Sequence, residues 1–128
     1  MYKELIEVAR LAREQAYAPY SDFKVGAALK TKTGKIFEGC NIENSALSAT
    51  NCAERTAFFK AISEGEREFE AIAIVGGKGN DLITCPPCGV CRQVMTEFCD
   101  KDFKIILFDG KDEDVYTLEE LLPLGFKL

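Results

Sequence analysis

The chain reads Cys52-Ala53-Glu54 at one predicted helix start and Pro87-Cys88-Gly89-Val90-Cys91 at another. Two cysteines separated by two residues at a helix start can both bind one Zn²⁺ ion at about 2.3 Å. Helix N-termini also favour the thiolate that binds metal, because they carry exposed N–H groups and the positive end of the helix dipole. We therefore predict that Cys52, Cys88 and Cys91 hold one zinc ion per chain and leave one coordination position open.

The chain contains no histidine, so the commonest acid–base residue is absent. Glu54 lies two residues after the first predicted ligand, where its side chain could reach both a metal-bound water and a substrate. We predict that Glu54 transfers protons. The alternative is an exposed carboxylate in a capping box with Asn51 as N-cap. Arg55 is predicted to donate hydrogen bonds to thiolate sulfur; the alternative is a surface ion pair.

Cys85-Pro86-Pro87-Cys88 is a second pair of cysteines at the same spacing. Its two prolines should hold the segment extended and direct the two sulfurs apart. Two other hypotheses stay open: a closed structural zinc site with Cys85 as fourth ligand, and a thioredoxin-like redox pair of Cys88 and Cys91. Cys40 and Cys99 are predicted to be small buried apolar residues.

Composition restricts the class of protein. A chain of 128 residues with 47% hydrophobic residues predicts one domain, residues 1–128, with one core. The net charge of −5 argues against nucleic acid or an anionic membrane surface as a partner. No apolar run approaches the roughly 20 residues of a membrane span, and the first residues lack the apolar core of a signal peptide. We therefore expect a cytoplasmic protein without a membrane partner.

Hydrophobic periodicity predicts the element order α-β-β-α-β-α-β-β-α, which is an α/β layered domain. The first helix is predicted to end near Tyr17, because Pro19 disfavours helical backbone at Ala18. Residues 32–35 are predicted to form a hairpin turn, and residues 41–51 an irregular loop. The glycine-rich residues 76–80 are predicted to form a flexible loop between a buried strand and the second cysteine motif.

The chain resembles the short, homotetrameric type of cytidine deaminase over nearly its whole length. The order and spacing of five segments carry this resemblance: APYSDFKVGAAL (18–29), GCNIEN (39–44), CAERTA (52–57), PCGVCRQ (87–93) and LLP (121–123). It implies a three-layer α/β/α sandwich with a mixed five-stranded sheet. It also implies zinc-dependent hydrolytic deamination of cytidine and deoxycytidine to uridine and deoxyuridine, with release of ammonia, in pyrimidine salvage.

The resemblance also implies roles for individual residues. The three cysteines named above hold zinc, the matching glutamate moves protons, and the matching arginine tempers the thiolate charge. For the substrate, Phe23 packs on the base, Asn41 and Glu43 bind the ribose 3′-hydroxyl, and backbone groups around Ala53 contact the pyrimidine edge. Phe126 matches an aromatic residue that reaches the site of a neighbouring subunit, so a homotetramer is expected.

Two departures from the family pattern concern the surroundings of the site. Leu47 stands where the family usually carries an aromatic residue, and the chain ends soon after Phe126, whereas relatives continue further. Two rival functions stay open: deamination of a blasticidin-type antibiotic on the same scaffold, and a non-catalytic zinc-stabilised binding domain.

Overall fold

A computed structural model describes residues 2–128 of the chain. Its helices are α1 (Lys3–Ala12), α2 (Ala53–Ser63), α3 (Gly89–Phe98) and α4 (Leu118–Leu121), with single 3-10 turns at Arg13–Gln15 and Leu47–Ala49. Its strands are β1 (Phe23–Thr31), β2 (Ile36–Cys40), β3 (Phe69–Lys78), β4 (Asp81–Ile83), β5 (Lys104–Phe108) and β6 (Glu113–Thr117).

The strands form one mixed sheet in the order β2-β1-β3-β5-β6, and the short β4 pairs with β3 outside that path. The β3–β5 pair is parallel and the others are antiparallel. The crossover between β3 and β5 contains α3, because parallel neighbours need a long connection. The prediction of an α/β fold with a mixed sheet is confirmed. The sheet has six strands rather than five because of β4.

Both faces of the sheet are covered by helices. On one face, α1 packs Leu5, Ile6 and Ala9 against alternate residues of the central strands. On the other face, α2 and α3 pack Phe58 and Met95 against the intervening residues. Strand residues alternate between the two faces, so central strands covered on both sides become nearly continuous apolar runs. The result is the predicted three-layer α/β/α sandwich.

Three local predictions were wrong. Gly76 and Gly77 belong to β3, where they pair with β4 and close a hairpin instead of a flexible loop. The regular part of the first helix ends at Ala12, because Arg13 turns into a 3-10 segment and donates hydrogen bonds to the carbonyls of Lys24 and Gly77 at 2.8 and 2.6 Å. The N-cap of α2 is Cys52 rather than Asn51, so the predicted capping box does not form.

A glycine sets the position of the N-terminus of α2. An ideal Cβ on Gly39 would lie 2.5 Å from both the Ala53 carbonyl oxygen and the Ala57 amide nitrogen. Only a residue without a side chain allows the helix backbone to approach β2 so closely. The contact places the first turn of α2, which contains Glu54, directly against the sheet.

Candidate active site

The first turns of α2 and α3 bring the three predicted ligands together. Cys52 and Cys88 are the N-cap residues of these helices, and Cys91 lies in the first turn of α3. The Cys52 and Cys88 sulfurs are 3.7 Å apart, and the Cys88 and Cys91 sulfurs are 3.5 Å apart. All three sulfurs lie within 4.8 Å of one another. Tetrahedral zinc with Zn–S bonds of about 2.3 Å needs sulfurs about 3.8 Å apart, so the cluster fits one zinc ion.

The Cys52 thiol is polarised for metal binding. A hydrogen bond from Cys91, together with others from Arg55 and Cys88, lowers the pKa of Cys52 to about 5. Arg55 Nη2 donates to the Cys52 sulfur at 3.3 Å, as predicted, and no ion pair of Arg55 with an acid occurs in the described part of the chain. Arg55 Nε is buried and has no hydrogen-bond partner among residues 2–128. The backbone amide of Cys91 donates to the Cys88 sulfur at 3.4 Å.

Cys85 is not part of this cluster. Within residues 2–128, the group of thiols close enough to share an ion contains only Cys52, Cys88 and Cys91. The Cys85 sulfur instead lies beside Gly76 of β3. The arrangement agrees with the predicted separation of Cys85 and Cys88, and a closed site of four thiolates is not formed. A redox pair of Cys88 and Cys91 would not explain why the Cys52 sulfur lies 3.7 Å from the Cys88 sulfur.

Glu54 is buried beside the sulfurs, with only 4% of its surface exposed. Burial raises its pKa to about 7, and the negative charge of Cys52 adds to this effect. A carboxyl group with a pKa near neutrality is suited to both accepting and donating a proton at physiological pH. The exposed capping carboxylate that the sequence allowed is therefore excluded by the burial of Glu54.

A cavity of about 170 Å³ opens beside Glu54. It brings together most of the predicted site residues with several that were not predicted. The predicted ones are Asn41, Glu43, Cys52, Ala53, Glu54 and Cys88, and the others are Val25, Thr50, Asn51, Cys85 and Pro86. Phe23 is outside this lining and packs half-buried against the core. Phe126 is also outside it, with 68% of its surface exposed on the C-terminal segment.

Asn41 and Glu43 are held rigidly at the cavity. The Asn41 side chain accepts from the Val25 amide and donates to the Phe23 carbonyl, both at 2.8 Å. Its amide group still has one donor hydrogen and one acceptor lone pair for a ligand. Glu43 accepts from the Ser21 hydroxyl at 2.5 Å and from the backbone amide of Tyr20 at 2.9 Å. The Ser21 hydrogen bond is the main cause that lowers the pKa of Glu43, so this side chain is a carboxylate.

Two contacts that the sequence did not predict hold the site together. Ile42 and Asn51 exchange backbone hydrogen bonds of 2.9 Å in both directions, which join the loop of residues 41–43 to the residue before Cys52. Arg92 donates to the carbonyls of Pro87 at 2.8 Å and Leu121 at 2.5 Å, which fixes the loop before Cys88 against α4. The sequence indicated a role for Arg92 only through its place in the segment PCGVCRQ (87–93), which matches the family pattern.

The burial of Glu54 has a measurable effect on stability in the metal-free protein. Its pKa is raised from the ordinary 4.5 to about 7, so the folded state holds the proton more tightly than the unfolded chain. Stability is therefore lost as pH rises through this range, when the buried carboxyl group must ionise. A neutral glutamine avoids this cost. We expect metal-free Glu54→Gln to be about 3 kcal/mol more stable than metal-free wild type at pH 8, and equally stable near pH 4.

Urea unfolding with chelator and reductant present, at several pH values, measures this difference. Glu97→Gln is the matched control, because Glu97 is also a helical glutamate but is exposed. Equal stability of Glu54→Gln and wild type at pH 8 would contradict the prediction.

Comparisons with known proteins agree with this site. The family model described as the cytidine and deoxycytidylate deaminase zinc-binding region matches residues 1–107. The chain is 52% identical to a cytidine deaminase of Sporosarcina psychrophila over 97% of this chain and 90% of the relative. The crystal structure of the cytidine deaminase of Burkholderia pseudomallei superposes with a TM-score of 0.91 at 49% identity, covering 98% of this chain and 99% of that one. A blasticidin-S deaminase of Bacillus cereus is 34% identical over 94% of this chain and 91% of the relative.

Proposed function

Because this chain belongs to the family of cytidine and deoxycytidylate deaminases, we propose specific catalytic roles for the residues of its buried thiol and carboxylate site. The chain is a zinc-dependent hydrolase that converts cytidine to uridine with release of ammonia. The same site acts on deoxycytidine, and pyrimidine salvage is its role. One catalytic domain spans residues 1–128, supported by the single sheet covered on both faces.

The main support for these catalytic roles is the position of Glu54 beside three clustered thiols. Cys52, Cys88 and Cys91 hold one zinc ion, and Arg55 reduces the negative charge on their sulfurs through its hydrogen bond to Cys52. A zinc ion held by these sulfurs would make a water molecule more acidic. Glu54 takes a proton from the attacking water and donates it to N3 of the cytosine ring as the water oxygen bonds to C4. It then moves the remaining proton of that oxygen to the amino group, so that the C4–N bond breaks, ammonia leaves and C4 becomes a carbonyl.

The remaining cavity residues bind the nucleoside. Asn41 has one free donor and one free acceptor, and the Glu43 carboxylate can accept from a hydroxyl, so together they suit the ribose 3′-hydroxyl. Ala53 begins α2, where free backbone N–H groups can contact the pyrimidine edge. We assign packing on the base to Phe23, although it lies outside the cavity lining of a single protomer.

Self-association as a homotetramer is part of the proposal. Several large apolar side chains are exposed on the protomer, among them Leu47 at 81% and Phe126 at 68%. Exposed apolar side chains of this size are candidates for burial in an interface between subunits. The Phe126 carbonyl accepts from the Gln93 side chain at 3.0 Å, which holds the C-terminal segment on α3 and leaves the Phe126 ring free to enter the site of a neighbouring subunit.

The cytoplasm is the proposed compartment. A site of three thiolates needs reduced cysteines, and all six cysteines of the chain are free. Separately, none of the helices between residues 2 and 128 has the length and apolar character needed to cross a bilayer.

A spectrophotometric deamination assay on purified protein, with zinc per chain measured in parallel, tests the proposal. We expect turnover of cytidine with one zinc ion per chain and much slower turnover of blasticidin S. Faster turnover of blasticidin S than of cytidine would show that the antibiotic is the substrate. This rival is tested because a blasticidin-S deaminase is 34% identical to the chain. Zinc without any turnover would support a non-catalytic domain. Sedimentation of the same sample gives the number of chains, and a monomer would contradict the tetramer.

A further inference from the structure

One wall of the active-site cavity contains no catalytic group. It is formed by Val25 of β1 and Cys85, which both line the cavity. Both side chains lie over Gly76 of β3: an ideal Cβ on this glycine would be 3.0 Å from the Cys85 sulfur and 3.1 Å from Val25 Cγ2. The missing side chain of Gly76 therefore leaves the space that Cys85 and Val25 fill. We call these two side chains the apolar wall.

Cys85 has no part in the proposed mechanism. Its sulfur is outside the metal cluster, and its side chain is half-buried against the core. Burial raises the pKa of the Cys85 thiol to about 11, so the group stays protonated near neutral pH. A protonated buried thiol behaves as a small apolar side chain. The sequence placed this residue in a second cysteine motif, but the fold places it in the wall of the site.

The chemistry of cytosine indicates which part of the substrate meets this wall. O2, N3 and the amino group are polar, whereas the C5–H and C6–H edge is apolar. A polar edge against Val25 and Cys85 would lose its hydrogen bonds, which is costly in a buried site. Glu54 needs the N3 side, and C5 is the neighbour of the reacting C4 on the opposite side.

We propose that Cys85, together with Val25, packs against the C5–C6 edge of the base and that the size of the Cys85 side chain determines which C5 substituents the site accepts. This inference rests on the proposed function, because it assumes cytidine as substrate and Glu54 at N3. Cys85 is then a specificity-determining residue whose side chain is not needed for proton transfer or metal binding.

The test compares kcat/KM for cytidine with that for 5-methylcytidine, which adds one methyl group at C5. Cys85→Ala enlarges the cavity and should raise the ratio of 5-methylcytidine to cytidine turnover about 10-fold, the usual effect of fitting one carbon in an apolar pocket. Cys85→Val fills more of the cavity and should lower the same ratio. Zinc per chain should stay at one in both variants.

Cys99→Ala is the matched control, because Cys99 is also a free, partly buried cysteine but lies at the other end of α3. Its ratio should equal that of wild type. An unchanged ratio in Cys85→Ala and Cys85→Val, with zinc retained, would overturn the inference. Failure of wild type to deaminate cytidine would instead refute the proposed function, so the two failures are distinguishable.

Gly76→Ala gives an independent measurement if Cys85→Ala does not fold. Its new methyl group would crowd the Cys85 sulfur and push that side chain into the cavity, so the ratio should fall. In the Gly76→Ala background, Cys85→Val should increase this crowding and lower the ratio further. Cys85→Ser in the same background should partly restore the ratio, because serine is smaller than cysteine. No change of the ratio in any of these variants would overturn the inference.

Discussion

Replacing Glu54 by glutamine should lower kcat for cytidine by about 10⁴-fold, at the upper end of what general acid–base catalysis contributes. Glutamine keeps the size of the side chain and can donate a hydrogen bond, but it can neither accept a proton from water nor pass one to the substrate. The effect should be large because no histidine exists in the chain to substitute. Zinc per chain should remain at one, since Glu54 is not one of the three clustered sulfur donors.

The matched variant is Glu54→Asp, which keeps the carboxyl group but withdraws it by one methylene. We expect kcat between those of wild type and Glu54→Gln, because proton transfer depends on reach as well as on chemistry. The measurement is steady-state deamination, with zinc content and near-ultraviolet circular dichroism as checks of the fold. Wild-type kcat in Glu54→Gln would show that another group moves the protons.

Replacing Cys88 by serine should remove most of the zinc and lower kcat/KM more than about 10³-fold. The Cys88 sulfur is 3.7 Å from the Cys52 sulfur and 3.5 Å from the Cys91 sulfur, and its loss leaves only two sulfur ligands. Loss of the ion removes several kcal/mol of stabilisation from the reaction, and each 1.36 kcal/mol is a factor of ten in rate. Zinc per chain after dialysis, measured together with turnover, checks both effects.

Cys85→Ser is the control for this experiment, because it changes the other cysteine of the Cys85-Pro86-Pro87-Cys88 segment. It should keep one zinc ion per chain, since the Cys85 sulfur is outside the cluster. Loss of zinc in both variants would indicate a closed four-thiolate site. Such a site would have no open position for water, and the hydrolytic mechanism would fail with it.

The prediction of the fold succeeded where local patterns decide the structure. The predicted buried strand before the glycine-rich residues is β3, which was recognisable because burial on both faces leaves a continuous apolar run. It failed at Gly76 and Gly77. Glycine weakens a strand prediction, but here the strand continues because Gly77 pairs with Leu82 in a hairpin that sequence periodicity does not reveal.

The same distinction between local patterns and long-range contacts applies to the active site. The donor types and the short spacings of Cys52 to Glu54 and of Cys88 to Cys91 were available from the sequence, since they are local properties. The fold brings the Cys52 sulfur to 3.7 Å from the Cys88 sulfur, 36 residues further along the chain. The tertiary structure decided that Glu54 is buried with a raised pKa, that Cys85 lines a wall, and that Asn41 is fixed to β1. These features depend on contacts between segments tens of residues apart. Desolvation and cavity shape arise only when such segments pack together, so no local pattern could predict them.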